Sequence, residues 1–233
     1  MSALYTYFLS RPEFRAPKAI RYAWDQWAYT DYFYFTTPDI FDRASKLTGT
    51  GCRALCIGLG EWIAARLSTA RRIDEAREYF DAAWATMLTQ NAIEYAELAH
   101  DDWAGPDDGV LRAAILVVND TAFEAEEDRK FADRVCWQMH LARHIADDGD
   151  LQDLAEWLDF AWASLERRHS GPVVTFRSVF DPHFIYGSPT SPTELIPGVV
   201  VSETSVERDL VDHVNRQIGR NRYLRIRSPL SVK

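Results

Sequence analysis

The chain has 233 residues, of which 47% are hydrophobic and 13% aromatic, and its formal net charge is −9. This composition excludes an intrinsically disordered chain, because it supplies enough apolar surface to offset the entropy lost on folding. Six of the 26 Lys and Arg side chains lie in residues 216–233, where there is no acid, so residues 1–215 carry 20 basic against 35 acidic side chains, or −15. Such an acidic body disfavours wrapping of nucleic acid and suits a basic protein partner.

The cysteines and the start of the sequence predict a cytoplasmic, reducing location. Cys52, Cys56 and Cys136 are an odd number, and the chain opens without the basic stretch and apolar run of a secretory leader. No uncharged apolar run approaches the roughly 20 residues that span a bilayer, so we expect no membrane association. Motifs for phosphate loops, dinucleotides and nucleophile elbows are also missing, and we therefore predict no catalytic residue and no cofactor.

Apolar residues recur at helical spacing along residues 1–170, which predicts a helical body. In chain order we expect helices at 17–32, from Pro38 to before 49, and at 52–70, 73–90, 91–100, 111–124, 127–146 and 150–168. Residues 101–109 are rich in Asp and Gly and are expected to form a loop. Gly58 and Gly60 lie inside the 52–70 helix, where they lower helix stability, so we expect them to permit close approach of a neighbour.

The sequence changes character near residue 171. Six of the ten prolines lie in residues 172–233, whereas all eight tryptophans precede them. Residues 173–180 and 197–202 are β-rich, 222–227 alternates like a strand, and 204–207 matches a capping box that opens a helix ending at Gly219. We therefore predict a helical body at 1–170 and a mixed α/β segment at 171–233 that packs on it with a small sheet.

Residues 73–87 and 151–165 align without a gap and look like copies of one amphipathic helix. Another predicted helix precedes each copy, so the repeated unit is a helical hairpin, at about 56–89 and 134–168. We predict a mainly α fold, a helical hairpin bundle or short α-solenoid, with a small β-containing C-terminal segment. The residues identical in the two copies are Glu78 and Glu156, Asp81 and Asp159, Ala83 and Ala161, Trp84 and Trp162, and Ala85 and Ala163.

The hairpins carry small, aromatic and aliphatic residues in a recurring order. The first contributes Ala64, Leu67, Ala76, Phe80 and Ala83, and the second Ala142, Ile145, Gly149, Leu154, Leu158 and Ala161. In this pattern the chain resembles the tetratricopeptide repeat, a paired-helix repeat of about 34 residues. The resemblance implies a curved stack of helices that binds a peptide or protein on its concave side.

Cys136, His140 and His144 are spaced i, i+4 and i+8, so they share one face of the 127–146 helix. This face, which also borders Trp137, lies opposite the apolar stripe expected to face the core. The row therefore lines solvent or a second interface, and we prefer a packed or partner-facing role. The alternative is a metal-dependent hydrolase that would recruit a fourth ligand such as Asp147, or the other two cysteines.

Two further groups are candidates for binding. Eight aromatic residues crowd into 22–35, more than one helix face can bury, so Tyr29, Tyr32 and Tyr34 are expected in an exposed aromatic patch. The basic C-terminal strip either pairs with carboxylates, of the body or of an acidic partner, or contacts phosphate, which leaves nucleic-acid binding as an alternative.

We predict a non-catalytic protein-interaction module, an adaptor or an immunity-type inhibitor from a bacterial system, that binds a basic protein partner. The acidic body predicts that binding weakens with added salt. We predict that the chain has no metal site. A metal-dependent hydrolase and a nucleic-acid-binding protein are the alternatives. The predicted binding residues are Trp137, His140, His144, Tyr29, Tyr32, Tyr34, Arg222, Arg225 and Arg227.

Overall fold

The computed structural model describes residues 1–14, 21–89, 91–123, 128–171 and 187–232. Over these ranges the protein folds into eight α-helices without a β-strand, which confirms the mainly α prediction. None of these helices is both long and apolar enough to cross a lipid bilayer. The helices are α1 (Ala3–Ser10), α2 (Pro38–Ala44), α3 (Gly49–Arg66), α4 (Ile73–Ala83), α5 (Pro106–Phe123), α6 (Asp128–Ile145), α7 (Asp148–His169) and α8 (Glu203–Asn215).

Helix α3 lies at the centre of the molecule, and all of its residues except Arg66 are buried. It contacts α1, α4, α5, α6 and α7, so it has no solvent-facing side. A helix that is apolar around its whole circumference is stable only when neighbours cover it on all sides. At its N-terminus Thr48 caps the helix, because its hydroxyl accepts a hydrogen bond from the amide of Gly51 at 3.2 Å.

Two glycines bring other elements close to α3, as the sequence predicted. A Cβ atom at Gly60 would lie 2.6 Å from Cε1 of the buried Phe80 ring. At Gly58 it would lie 3.2 Å from side-chain atoms of Leu195 and Trp157. Because real Cβ atoms almost never approach another atom within 3.0 Å, only glycine fits at position 60 without movement of α4.

The two copies of the repeated helix end differently. Helix α4 stops at Ala83, and Trp84–Met87 continues as a 3₁₀ turn, whereas α7 runs on to His169. Trp84 is fully buried and donates a hydrogen bond to Glu61, while Trp162 lies under a guanidinium group that is 4.7 Å from its ring centroid. The equivalent tryptophans therefore share burial but contact different groups.

Two predicted helices are wrong. Residues 91–99 form no helix, and part of their backbone pairs with the C-terminal segment instead: the amide of Glu94 donates to the carbonyl of Tyr223, and that of Arg225 to Ala92, both at 2.7 Å. Residues 21–28 are irregular, and only Tyr29–Tyr32 forms a short 3₁₀ helix. The beginning of the predicted 17–32 helix lies outside the described residues.

The predicted β-containing C-terminal segment is also wrong for the residues that can be described. Residues 197–202 form no strand, and 222–227 contributes one isolated bridge, between Ile93 and Leu224. Side chains bind the backbone amides next to this bridge: the amide of Arg222 donates to the carboxylate of Glu78 at 2.7 Å, and that of Tyr223 to Asn221 at 2.9 Å. Tyr223, next to this bridge, is buried. The predicted strand at 173–180 lies outside the described residues.

Helix α8 joins the core of the helical body. Its Leu210 and Val214 belong to the same buried cluster as the residues of α3 and α6. The helix begins at Glu203 after an N-cap at Ser202, slightly earlier than the capping pattern predicted. Its exit turn reaches Gly219, whose φ of 74° lies in the left-handed region that glycine adopts most easily.

We expect Gly60→Ala to lower the free energy of unfolding by up to about 2 kcal/mol. Overpacking against Phe80 costs about 1–3 kcal/mol, and the higher helix propensity of alanine returns about 1 kcal/mol. Gly149→Ala is the control, since a Cβ there meets only Asp147 Oδ1 at 3.5 Å and should leave stability unchanged or raise it. Urea denaturation measures both variants, and equal stability changes would contradict the close approach of α4 to α3.

Candidate functional site

Cys136, His140 and His144, with the neighbouring Trp137, form what we call the His/Trp row of α6. Residues 22–37 lie along the face of the helix that carries this row. Three pairs of rings stack there, each joining one side chain of the segment to one of the helix. We call these six residues the aromatic ladder. Its pairs, with their centroid separations, are Tyr34 with Trp137 at 3.8 Å, Phe35 with His140 at 4.0 Å and Tyr32 with His144 at 4.5 Å. The His/Trp row and the aromatic residues of 22–35, which the sequence predicted as two separate binding groups, thus pack against each other.

Polar contacts hold the segment in place on α6. The ring nitrogen Nε2 of His144 lies 2.7 Å from the carbonyl oxygen of Ala23. The hydroxyl of Thr36 donates to the carboxylate of Asp133 at 3.0 Å. Stacking and these contacts replace the helical hydrogen bonds that the sequence predicted here. The second interface expected for the His/Trp row is therefore an interface with the chain's own residues 22–37.

Two of the three inner rings of the ladder are inaccessible to a partner, and the third, His144, is half-buried. Trp137, His140 and the neighbouring Cys136 are buried. Burial lowers the pKa of His140, with Arg143 as a further cause, so the imidazole is neutral at pH 7. Burial also raises the pKa of the Cys136 thiol to about 11, which keeps it protonated at that pH. The row thus offers packing surface and neither a free thiolate nor a cationic imidazole at position 140.

The geometry gives the metal-dependent alternative no support. Within the described ranges there is no group of three or more His, Cys, Asp and Glu side chains that could hold a metal ion. Cys52 and Cys56 are buried in α3, where burial is the main cause of their raised pKa values. They behave as small hydrophobic residues of the central helix.

The outer side of the segment is accessible and acidic. Trp27 is 78% exposed, Tyr34 56% and Phe35 45%. Residues 22–42 contain four aspartates and no lysine or arginine. We call this range the aromatic–acidic segment. Its acidic residues, all exposed or half-buried, are Asp25, Asp31, Asp39 and Asp42.

Tyr29, the remaining predicted aromatic, lies at the inner edge of this segment. Its ring is 6.1 Å from that of Phe33, and the guanidinium of Arg112 lies 5.7 Å from its centroid. Tyr29 therefore anchors the segment to α5, and Tyr34 is the predicted tyrosine that offers most surface to a partner.

The basic C-terminal strip is largely paired within the chain. Arg222 contacts two carboxylates, of residues 75 and 78 on α4, at 2.9 and 3.2 Å. Arg225 binds Glu94 at 2.7 Å, and this hydrogen bond is the main cause of the lowered pKa of Glu94. Arg227 is exposed. Pairing with the body's own carboxylates, one of the two readings of the sequence, is confirmed for Arg222 and Arg225, and nucleic-acid binding loses two of its three predicted contacts.

The sequence did not predict a cavity of about 380 Å³ that lies between α1, α4 and the end of α8. Glu61 of α3 borders it and is only 2% exposed. One carboxylate oxygen accepts a hydrogen bond from Trp84 Nε1 at 3.0 Å, whereas Oε2 has no partner among the described residues. Desolvation, with a smaller contribution from Asp81, raises the pKa of this carboxyl to about 8. The signal in the sequence was an acid inside an otherwise apolar stretch of helix.

Asp81 forms the adjoining part of the cavity wall. Its Oδ2 atom lies 2.5 Å from the ammonium nitrogen of Met1. Its backbone carbonyl accepts a hydrogen bond from the Gln217 amide at 2.9 Å and lies 3.0 Å from Nε2 of His213. Burial lowers the pKa of His213. The end of α8 is thus held against α4 next to the cavity.

Comparison with known proteins gives no relative from which a function could be transferred. No protein-family model matches the chain, and neither a curated protein nor a solved structure matches it. The resemblance to the tetratricopeptide repeat therefore stays a prediction. The aromatic–acidic segment and the cavity are the two features on which a function can be argued.

We expect the contribution of Glu61 to the stability of the protein to fall as the pH rises from about 4.5 to about 8. In this range the folded state binds a proton that the unfolded state releases, so one such group changes the free energy of unfolding by up to about 1.4 kcal/mol per pH unit. Glu61→Gln keeps an acceptor for Trp84 and removes the titration. The variant should exceed the wild type in stability at pH 8, and the difference should shrink towards pH 5.

Denaturation curves measured at several pH values test this expectation. The exposed Glu156→Gln, on the repeated copy α7, is the control and should follow the wild type. A stability difference between Glu61→Gln and the wild type that does not vary with pH would show that the carboxyl is not held protonated by burial.

Proposed function

We propose that the protein is a non-catalytic interaction module, an adaptor or an immunity-type inhibitor, that binds a basic protein partner through its aromatic–acidic segment. One observation carries the proposal: large aromatic side chains are exposed in a stretch whose only charged residues are aspartates. An interface with a basic protein needs both aromatic anchors and acidic side chains. No other stretch of the sequence combines the two at this density.

The exposed rings are suited to be anchors of an interface. Tyrosine and tryptophan are enriched among the residues that contribute most to protein–protein affinity. The ring of Tyr34 is backed by Trp137, which in turn lies 4.1 Å from the guanidinium of Arg134. This three-layer stack fixes the orientation of Tyr34 before binding. A ring that is already ordered loses less entropy when a partner covers it.

The charge of the segment favours a basic partner. Asp31 is exposed next to the ladder, and Asp39 is exposed on the following helix, α2. Their field adds to that of an acidic body, which would steer a cationic protein towards the exposed rings and speed up association. Like charges would repel an acidic protein. The same electrostatic contribution predicts that the association rate falls when salt is added.

A photo-crosslinking experiment in the native host tests the proposal while the partner is still unidentified. A benzophenone amino acid replaces Tyr34, or as a matched control Tyr95, which is exposed outside the segment at 49% of its surface. We expect position 34 to give a discrete adduct with a basic protein and position 95 to give none. An acidic adduct, the same adducts from both positions, or no adduct at position 34 would contradict the proposal.

With the crosslinked partner purified, we expect Tyr34→Ala to weaken binding by about 30-fold, the effect of a residue that contributes about 2 kcal/mol to an interface. Tyr95→Ala should change the dissociation constant less than about twofold. Asp31→Asn leaves the ladder intact and should lower mainly the association rate at low salt. Surface plasmon resonance at two salt concentrations measures both effects, and circular dichroism verifies that each variant is folded.

A further inference from the structure

The cavity next to α8 carries two arginines without partners. Arg216 and Arg220 both border it, four residues apart at the end of the helix. Across the described ranges, neither guanidinium makes a hydrogen bond or an ion pair, in contrast to the arginines that contact carboxylates on α4 and α7. Both arginines are exposed, and what separates them from other exposed arginines such as Arg208 is that they line this cavity.

The acids around the cavity cannot serve as their partners, because these acids are already paired. Within the wall and its rim the ion pairs are Asp74 with Arg77 at 2.9 Å, Glu78 with Arg222 at 3.2 Å and Asp81 with the ammonium group of Met1 at 2.5 Å. With the Glu61 carboxyl protonated, the lining carries four cationic groups, of Met1, Arg77, Arg216 and Arg220, against three carboxylates, of Asp74, Glu78 and Asp81. This excess of one positive charge favours an anion from solution.

A second, independent feature points into the same space. Glu61 borders the cavity from the core side, almost fully buried, and its Oε2 atom has no hydrogen-bond partner in the part of the chain that is described. A buried polar atom without a partner costs free energy, which a ligand can recover by forming the missing hydrogen bond. The rings of Tyr5 and Phe80 also line the cavity and add an apolar part to its wall.

We propose that this cavity binds a small organic anion whose carboxylate or phosphate group lies between Arg216 and Arg220 and whose hydroxyl end forms a hydrogen bond with Glu61. Guanidinium groups match the planar or tetrahedral arrangement of such oxygens and can bind them in bidentate fashion. A cavity of about 380 Å³ lies within the range of small-ligand sites. The site uses α3, α4 and α8 and is separate in sequence from the aromatic–acidic segment.

Isothermal titration calorimetry on the full chain tests the proposal with five probes at constant ionic strength. Glycerol 3-phosphate and glycerate share hydroxyl groups and differ in the anionic group. Inorganic phosphate and formate lack the hydroxyl end, and glycerol lacks the charge. We expect at least one of the two hydroxylated anions to bind and glycerol not to bind. Whichever binds more tightly distinguishes a phosphate ester from a carboxylate as the source of the anion.

The arginine assignment is tested with the double variant Arg216→Gln, Arg220→Gln. It should weaken binding at least tenfold, whereas Arg208→Gln, an exposed change earlier on the same helix and away from the cavity, should leave affinity within twofold. Thermal unfolding verifies that the variants are folded. No binding of either hydroxylated anion, binding that survives the double variant, or an equal loss in Arg208→Gln would overturn the proposal.

A comparison of affinities with and without the hydroxyl end of the ligand tests the role of Glu61. The hydroxylated anion should bind at least threefold more tightly than its anionic group alone, glycerol 3-phosphate being compared with inorganic phosphate and glycerate with formate. Equal affinities would show that Glu61 does not bind the hydroxyl end of the ligand. These measurements use neither the protein partner nor the aromatic–acidic segment, so their outcome is independent of the proposed function.

Discussion

Burial of α3 on every side is the constraint on which the rest of the structure depends. Its two internal charged side chains are almost fully buried, so most of their hydrogen bonds have to be made inside the protein. Arg53 donates to the backbone carbonyls of Thr121 and Thr86, at 2.9 and 3.0 Å, and Glu61 accepts from Trp84. These contacts tie α3 to α5 and to the turn after α4. The polar groups of the central helix thus specify how its neighbours approach, in addition to the apolar packing around them.

The aromatic–acidic segment follows from the same arrangement. Helix α6 packs on α3 and α5 with one face, so its opposite face, with the His/Trp row, needs a cover. The cover is an irregular chain, because residues 22–37 have too many aromatic rings for one helical face. Stacked pairs such as Tyr34 with Trp137 bury the inner ring and expose the outer one. The buried helices therefore hold this segment in place, and the exposed aromatic surface itself belongs to residues 22–37.

The sequence predicted those parts of the fold that depend on local pattern. Periodicity located α3 to α7 to within several residues, and Gly58 and Gly60 correctly indicated close packing. The errors arose where long-range contacts decide the conformation. Residues 91–99 have helical periodicity but pair with the backbone near Tyr223, more than a hundred residues later. The alternation at 222–227 belongs to a turn and an irregular chain with one bridge, and sequence alone cannot distinguish this from a strand in a sheet.

The charge pattern illustrates the same limit for function. The sequence places six basic residues after position 215, which made the whole C-terminal strip a candidate for binding an anion. In the structure, Arg222 and Arg225 are occupied by carboxylates of the body, whereas Arg216 and Arg220 border a cavity and, within the described ranges, are unpaired. Whether an arginine can bind a ligand depends on the acids near it. Arg222 is paired with acids on α4, and Arg225 is paired with Glu94. The net charge of a segment therefore indicates the sign of its ligand, and the pairing of its side chains determines where that ligand can bind.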